Sequence, residues 1–103
     1  MQIKTKVHNN SLYILLIGEL DEANAPYVRT HLDQVIDMEK GFNKVIVDLS
    51  QLDFMDSTGI GVMLGRYKRL QSRNIPIYII NPSRQAEKIF KMAGLYDIMP
   101  KIS

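Results

Sequence analysis

The segment Lys44-Val-Ile-Val-Asp-Leu49 restricts most strongly what this chain can fold into. Its β-branched, nearly continuous apolar run suits a buried central strand. Helical patterns stand on either side of it. A strand between two helices implies parallel neighbours reached through right-handed crossovers.

The hydrophobic period supplies the other elements. Ile3 to Val7 and Leu12 to Ile17 read as strands joined by His8-Asn9-Asn10-Ser11. Asparagine tolerates positive φ, so this turn makes a hairpin. The second strand ends at Gly18-Glu-Leu-Asp21. A helix is predicted from about Asn24 to Lys40, with Asn24 as N-cap, Pro26 in the first turn and Gly41 as the stop. Its stripe is Val28, Leu32, Val35 and Ile36. Ser50 to Met55 reads as a connection. A second helix is predicted from about Thr58 to Ser72, burying Ile60, Met63, Leu64, Tyr67 and Leu70. Ile75 to Ile80 follows as a strand, and Asn81-Pro-Ser83 opens a third helix ending at Gly94. A short strand at Asp97 to Met99 closes the chain. The predicted order is β-β-α-β-α-β-α-β, an α/β fold with helices packed on a mixed sheet.

The 103 residues suit a single domain spanning 1–103, with 46% hydrophobic and 23% charged residues. That is enough to bury a modest core without disulfides or metal, and the chain has no cysteine. The longest apolar run, Leu12 to Ile17, is too short to span a bilayer, and the opening Met-Gln-Ile-Lys-Thr-Lys lacks a signal-peptide pattern. The expectation is a soluble, cytoplasmic protein. A net charge of +2 does not argue for nucleic acid. The local cluster Arg66, Lys68, Arg69 and Arg73 reads as a solvated helix face, without the aromatic surface that single strands stack on. The two histidines, His8 and His31, have no catalytic partners in sequence, and no nucleophile elbow, Walker loop or dinucleotide glycine pattern is present. Neither enzyme activity nor a cofactor or metal is expected.

Leu52-Asp-Phe-Met-Asp-Ser-Thr-Gly-Ile-Gly61 carries the chemistry. It sets an acid, two hydroxyls and two glycines where a helix begins. Ser57 or Thr58 reads plainly as an N-cap. A phosphate there would meet helix amides and the positive end of the dipole, so the fold should tolerate it. It would also add about −1.5 to −2 charge beside Asp56. Gly59, Gly61 and Gly65 are costly in a helix, about 1 kcal/mol each. They either pack the helix closely on its sheet or leave a flat docking surface beside Ser57. Lys68 shares that flank, and Val62 is expected to face outward as a partner contact.

Gly18-Glu-Leu-Asp21, Val45-Ile-Val-Asp-Leu49, Asp53-Phe-Met-Asp-Ser-Thr-Gly-Ile-Gly61 and Ala93-Gly-Leu95 occur in the order found in STAS-domain anti-sigma factor antagonists. The resemblance runs from about Ile3 to Ile98. Leu64-Gly-Arg-Tyr-Lys68 resembles the sporulation sigma-F branch more than the general-stress sigma-B branch. The resemblance implies a STAS-type fold and a partner switch. The free antagonist binds an anti-sigma factor that is also a serine kinase, and the sigma factor is released. Phosphorylation of Ser57, the serine after the motif aspartate, turns binding off, and a PP2C-type phosphatase resets it. Asp21 and Asp56 are carried over as interface or phosphorylation-supporting residues, with Ser57, Thr58, Gly59, Gly61, Val62 and Gly65 as the partner surface. No direct nucleic-acid or membrane contact is implied. Family members often carry a further C-terminal helix; either it lies beyond Ser103, where this sequence stops, or this member lacks it, so contacts built on it are not carried over. The alternative reading is a ligand-binding STAS module that uses the helix start at Ser57 as a constitutive anion or nucleotide pocket.

Overall fold

A computed structural model describes residues 1–103. The elements are β1 (Gln2–His8), β2 (Ser11–Leu20), α1 (Ala25–Met38), β3 (Lys44–Asp48), β4 (Leu52–Met55), α2 (Ser57–Gln71), β5 (Ile77–Ile80), α3 (Arg84–Met92) and a 3-10 turn, Leu95–Asp97. The sheet runs β1-β2-β3-β5, with β4 also paired to β2. β1 is antiparallel to β2; every other pairing is parallel. Asn9 (φ 49°) and Asn10 (φ 64°) make the hairpin turn, as their side chains allow.

The order is therefore β-β-α-β-β-α-β-α, which corrects the sequence reading at three places. β2 does not stop at Ile17. Gly18, at φ +106°, absorbs a register shift and the strand continues to Leu20. Its first half pairs with β3 and its second half with β4. The presumed connection Ser50 to Met55 thus contains a strand. β4 escaped the pattern because it is four residues long and exposes both Asp53 and Phe54. At the C-terminus, Asp97 to Met99 is no strand: Gly94, at φ +68°, opens the 3-10 turn instead. The β5 edge is met one step later by a single bridge between Ile79 and Lys101. Helix α1 ends at Met38, and Gly41 (φ +81°) belongs to the turn before β3.

A cluster of 22 buried side chains joins all three helices to one face of the sheet. Leu12, Ile14 and Leu16 of β2, Val45 and Val47 of β3, and Ile77 and Ile79 of β5 alternate toward it. Val28, Leu32 and Ile36 answer from α1, Val62, Met63 and Leu70 from α2, and Ala86 and Phe90 from α3. Each of these side chains other than Ala86 stabilises the fold by roughly 1.5–3 kcal/mol relative to exposure.

The basic run on α2 is tied to α1. Arg66 Nε lies 2.9 Å from Asp33, and Arg69 lies 3.7 Å from Asp33 while hydrogen-bonding Asp37. Arg73 lies 3.7 Å from Asp37 and donates to the Ile36 carbonyl at 3.1 Å. Three of the four cations in the cluster are thereby matched within the molecule, and only Lys68 projects freely. The Arg69 hydrogen bond holds the Asp37 carboxyl below the usual carboxylate range. The hydrogen bond from Lys101 does the same for Glu87.

A lowered folded pKa means that the contribution is present above the ordinary carboxylate value and is lost as pH falls through the folded one. Melting temperature should therefore drop below about pH 4. An Asp37→Asn/Glu87→Gln variant should show a shallower acid slope, and an unchanged slope would rule out these two groups.

Candidate functional site at the start of helix α2

β4 delivers the chain to Asp56, which is extended (φ −105°, ψ −172°) and caps α2. Its Oδ1 accepts from the Thr58 N–H at 2.9 Å and the Gly59 N–H at 3.3 Å. Neither Ser57 nor Thr58 is the cap, which corrects the sequence expectation. Aspartate ranks with serine at this position, and its carboxylate also suits the dipole. Ser57 becomes the first helical residue, exposed, with a hydroxyl that hydrogen-bonds no protein group. Two of the amides that a phosphate was expected to meet, those of Thr58 and Gly59, are already held by Asp56. An added phosphate would point outward, beside a like charge.

The loop after β2 braces this start. The Leu20 carbonyl accepts from the Asp56 N–H at 3.4 Å. Asp21 and Asn24 bond reciprocally: the Asp21 N–H donates to Asn24 Oδ1 at 3.0 Å, and the Asn24 N–H to Asp21 Oδ1 at 3.1 Å. Asn24 Nδ2 also donates to the Glu19 carbonyl at 2.7 Å. Half-buried Asp21 thus shapes the rim next to Asp56, and Asn24 serves this loop with no side-chain bond to α1.

The glycines separate into two roles. Gly59 is buried, and a Cβ there would lie 2.6 Å from Met55 Cγ and 3.2 Å from Leu20 Cγ. It packs the helix on the sheet and offers no docking surface. Close approach at Gly59 fixes which face turns inward, and Val62, one turn on, is fully buried. The expectation that Val62 faces a partner is therefore wrong. Ile60, Leu64 and Tyr67, assigned to the stripe, are half-buried at its margin. Gly61 and Gly65 have open space where a Cβ would stand. Ser57, Gly61 and Lys68 fall along one exposed line at helical spacing. Thr58 lies half-buried beside it.

Gly59→Ala should cost stability, because overpacking of about 1–3 kcal/mol exceeds the ~1 kcal/mol gained in helix propensity. Gly61→Ala should raise stability by up to ~1 kcal/mol, since nothing opposes the methyl. Denaturant melts of the two variants should move in opposite directions; movement in the same direction would contradict the assignment.

Residues 2–103 match the family model of the STAS domain. This chain belongs to the STAS family. The chain is 33% identical over 100 residues to the anti-sigma F factor antagonist of Paenibacillus polymyxa, covering 97% of this chain and 85% of that one. It is 31% identical over 99 residues to the anti-sigma-B factor antagonist of Staphylococcus epidermidis, covering 96% and 90%. Its structure resembles the anti-sigma factor antagonist SpoIIAA in its unphosphorylated form, with a TM-score of 0.78 and 28% identity over 99% of this chain and 89% of that one. The Bacillus SpoIIAA in the phosphorylated form gives a TM-score of 0.69 at 29% identity, covering 99% and 92%. The STAS chain is thus an anti-sigma factor antagonist by family, and that family is non-catalytic. No group of three metal-ligating side chains gathers in it, and no helix is long and apolar enough to cross a membrane.

Proposed function

We propose that this single STAS domain is a phosphorylation-switched binding module. With Ser57 free, it binds an anti-sigma factor that is also a serine kinase, and the sigma factor is released. Phosphorylation of Ser57 ends binding, and a PP2C-type phosphatase restores it. The Leu64-Gly-Arg-Tyr-Lys68 segment favours a sigma-F circuit, and so does the similarity to the Paenibacillus polymyxa protein.

One observation carries the reading. Ser57 presents an unengaged hydroxyl at a helix start whose cap is already filled by Asp56. The same observation disfavours the anion or nucleotide pocket, because an incoming anion would have to displace a carboxylate from those amides. Asp21 and Asp56 shape the rim, and Gly61 and Gly65 keep the outward face flat for the partner.

The test is to incubate the protein with ATP, magnesium and a sigma-F anti-sigma kinase, and to map phosphate by mass spectrometry. Phosphate is expected on Ser57, and Ser57→Ala should remain unmodified. Equal phosphorylation of the Ser57→Ala variant would move the site to Thr58 or elsewhere.

A further inference from the structure

Parallel strands are almost always covered on both faces, because their apolar side chains point both ways. β2, β3 and β5 are parallel neighbours, yet all three helices join the core on one face only. The other face carries Tyr13, Leu15 and Ile17 of β2, Ile46 of β3, and Tyr78 and Ile80 of β5. None of the six belongs to the helix-covered core. Ile46 is flanked in register by Tyr13 and Tyr78. The β2-β3-β5 layer is built like one that has a second cover.

Charge along the margin says what kind of cover fits. β1 pairs Lys4 with Leu15 and Lys6 with Tyr13, so both lysines stand on this face. Lys44 shares it from the start of β3. None of the three lysines forms an ion pair. Lys6 Nζ lies 5.8 Å from the centre of the Tyr13 ring. Between them opens a hollow of about 520 Å³, lined by Lys4, Lys6, His8, Tyr13, Leu15 and Asp48 among others. Asp48, the one carboxylate there, already accepts from the Ser50 N–H at 2.9 Å. The hollow is therefore apolar on its floor and cationic on its β1 side.

We propose that this face is a second docking surface, and that its occupant is an amphipathic helix of a partner protein with acidic residues along one flank. The apolar stripe of that helix covers half-buried Tyr13 and Leu15, and its carboxylates meet Lys4 and Lys6. Tyr13 to Ile17 spans about 13 Å, the rise of roughly nine helical residues. Ser57 opens α2, a helix packed on the opposite face of the sheet, so the two sites can be filled together. This proposal stands apart from the phosphorylation switch.

The test uses a synthetic helical peptide of about three turns with leucine on one stripe and glutamate on the flank. The same peptide with lysine for glutamate is the control. Each is titrated into ¹⁵N-labelled full-length protein. The glutamate peptide should shift the amides of Lys4, Lys6, Tyr13 and Leu15, leaving Ser57 to Gly61 unmoved. The lysine peptide should bind at least about tenfold more weakly. A Lys4→Glu/Lys6→Glu variant should reverse that preference while keeping its melting temperature, since both residues are exposed. Equal response to both peptides, shifts confined to α2, or no shifts would overturn the proposal. So would concentration-dependent shifts of the same amides without peptide, which would make a second copy the occupant.

Discussion

Replacing Ser57 by aspartate is expected to weaken binding to the anti-sigma factor by about a hundredfold to a thousandfold. The physical cause is local. At the free, solvated surface two unit charges ~4 Å apart interact by only about 1 kcal/mol, whereas burying the added charge unpaired beneath a docked partner costs several kcal/mol. The new carboxylate stands directly beside Asp56, on a face where Gly61 and Gly65 let a partner approach closely. Folding should hardly register the change. An acid in the first turn gains about 0.3–1 kcal/mol from the dipole, and repulsion from Asp56 offsets much of that. Ser57→Ala should bind like the parent. Its stability should lie within about 0.5 kcal/mol of wild type, because Ser57 caps nothing. Calorimetric titration of both variants and their thermal melts check these expectations. An aspartate variant that binds as tightly as the parent would sink the electrostatic account.

The largest effect on folding should come from Phe90→Ala. Phe90 is fully buried, and its ring centre lies 5.3 Å from that of Tyr96. Truncating such a side chain costs about 3–5 kcal/mol. A domain of this size has only about 5–15 kcal/mol to lose, and Tm should fall by on the order of 15–25 °C. The damage should reach the site. β4 has a single ladder partner, β2, and its outer side rests on α3. Ser83, the N-cap of α3, also donates its hydroxyl to the Leu52 carbonyl at 2.7 Å. Loosening α3 should therefore speed amide exchange across Leu52–Met55, the strand that presents Ser57. A Tm within about 3 °C of the parent would show that Phe90 does not anchor this layer.

Much of this was legible in the residues. Asn9 and Asn10 announced the hairpin, and the β-branched run from Val45 announced the central strand. The stripe of α1 also fell where its period put it. What was hidden depended on distant partners. β4 exposes Asp53 and Phe54 and pairs with residues some thirty positions earlier through a register shift, so no local pattern marks it. The inward face of α2 was misjudged because glycine scores as nothing on a hydrophobic wheel. Yet Gly59 lies so close to Met55 and Leu20 that no Cβ fits, and Val62, one turn on, is buried on the same side. Pairing of the α2 arginines with Asp33 and Asp37 joins residues about 32 positions apart, beyond any motif. The Asp56 cap was readable, since aspartate is among the best cap residues, but the adjacent hydroxyls drew the assignment. Ser57 as phosphoacceptor came from the family resemblance. The structure adds a reason for that choice in the free hydroxyl beside an occupied cap.

The most direct measurement is the affinity of one preparation for the anti-sigma factor before and after stoichiometric phosphorylation of Ser57, and again after dephosphorylation. The account predicts tight binding, then a loss of at least about a hundredfold, then full recovery. Equal affinity in all three states would contradict it.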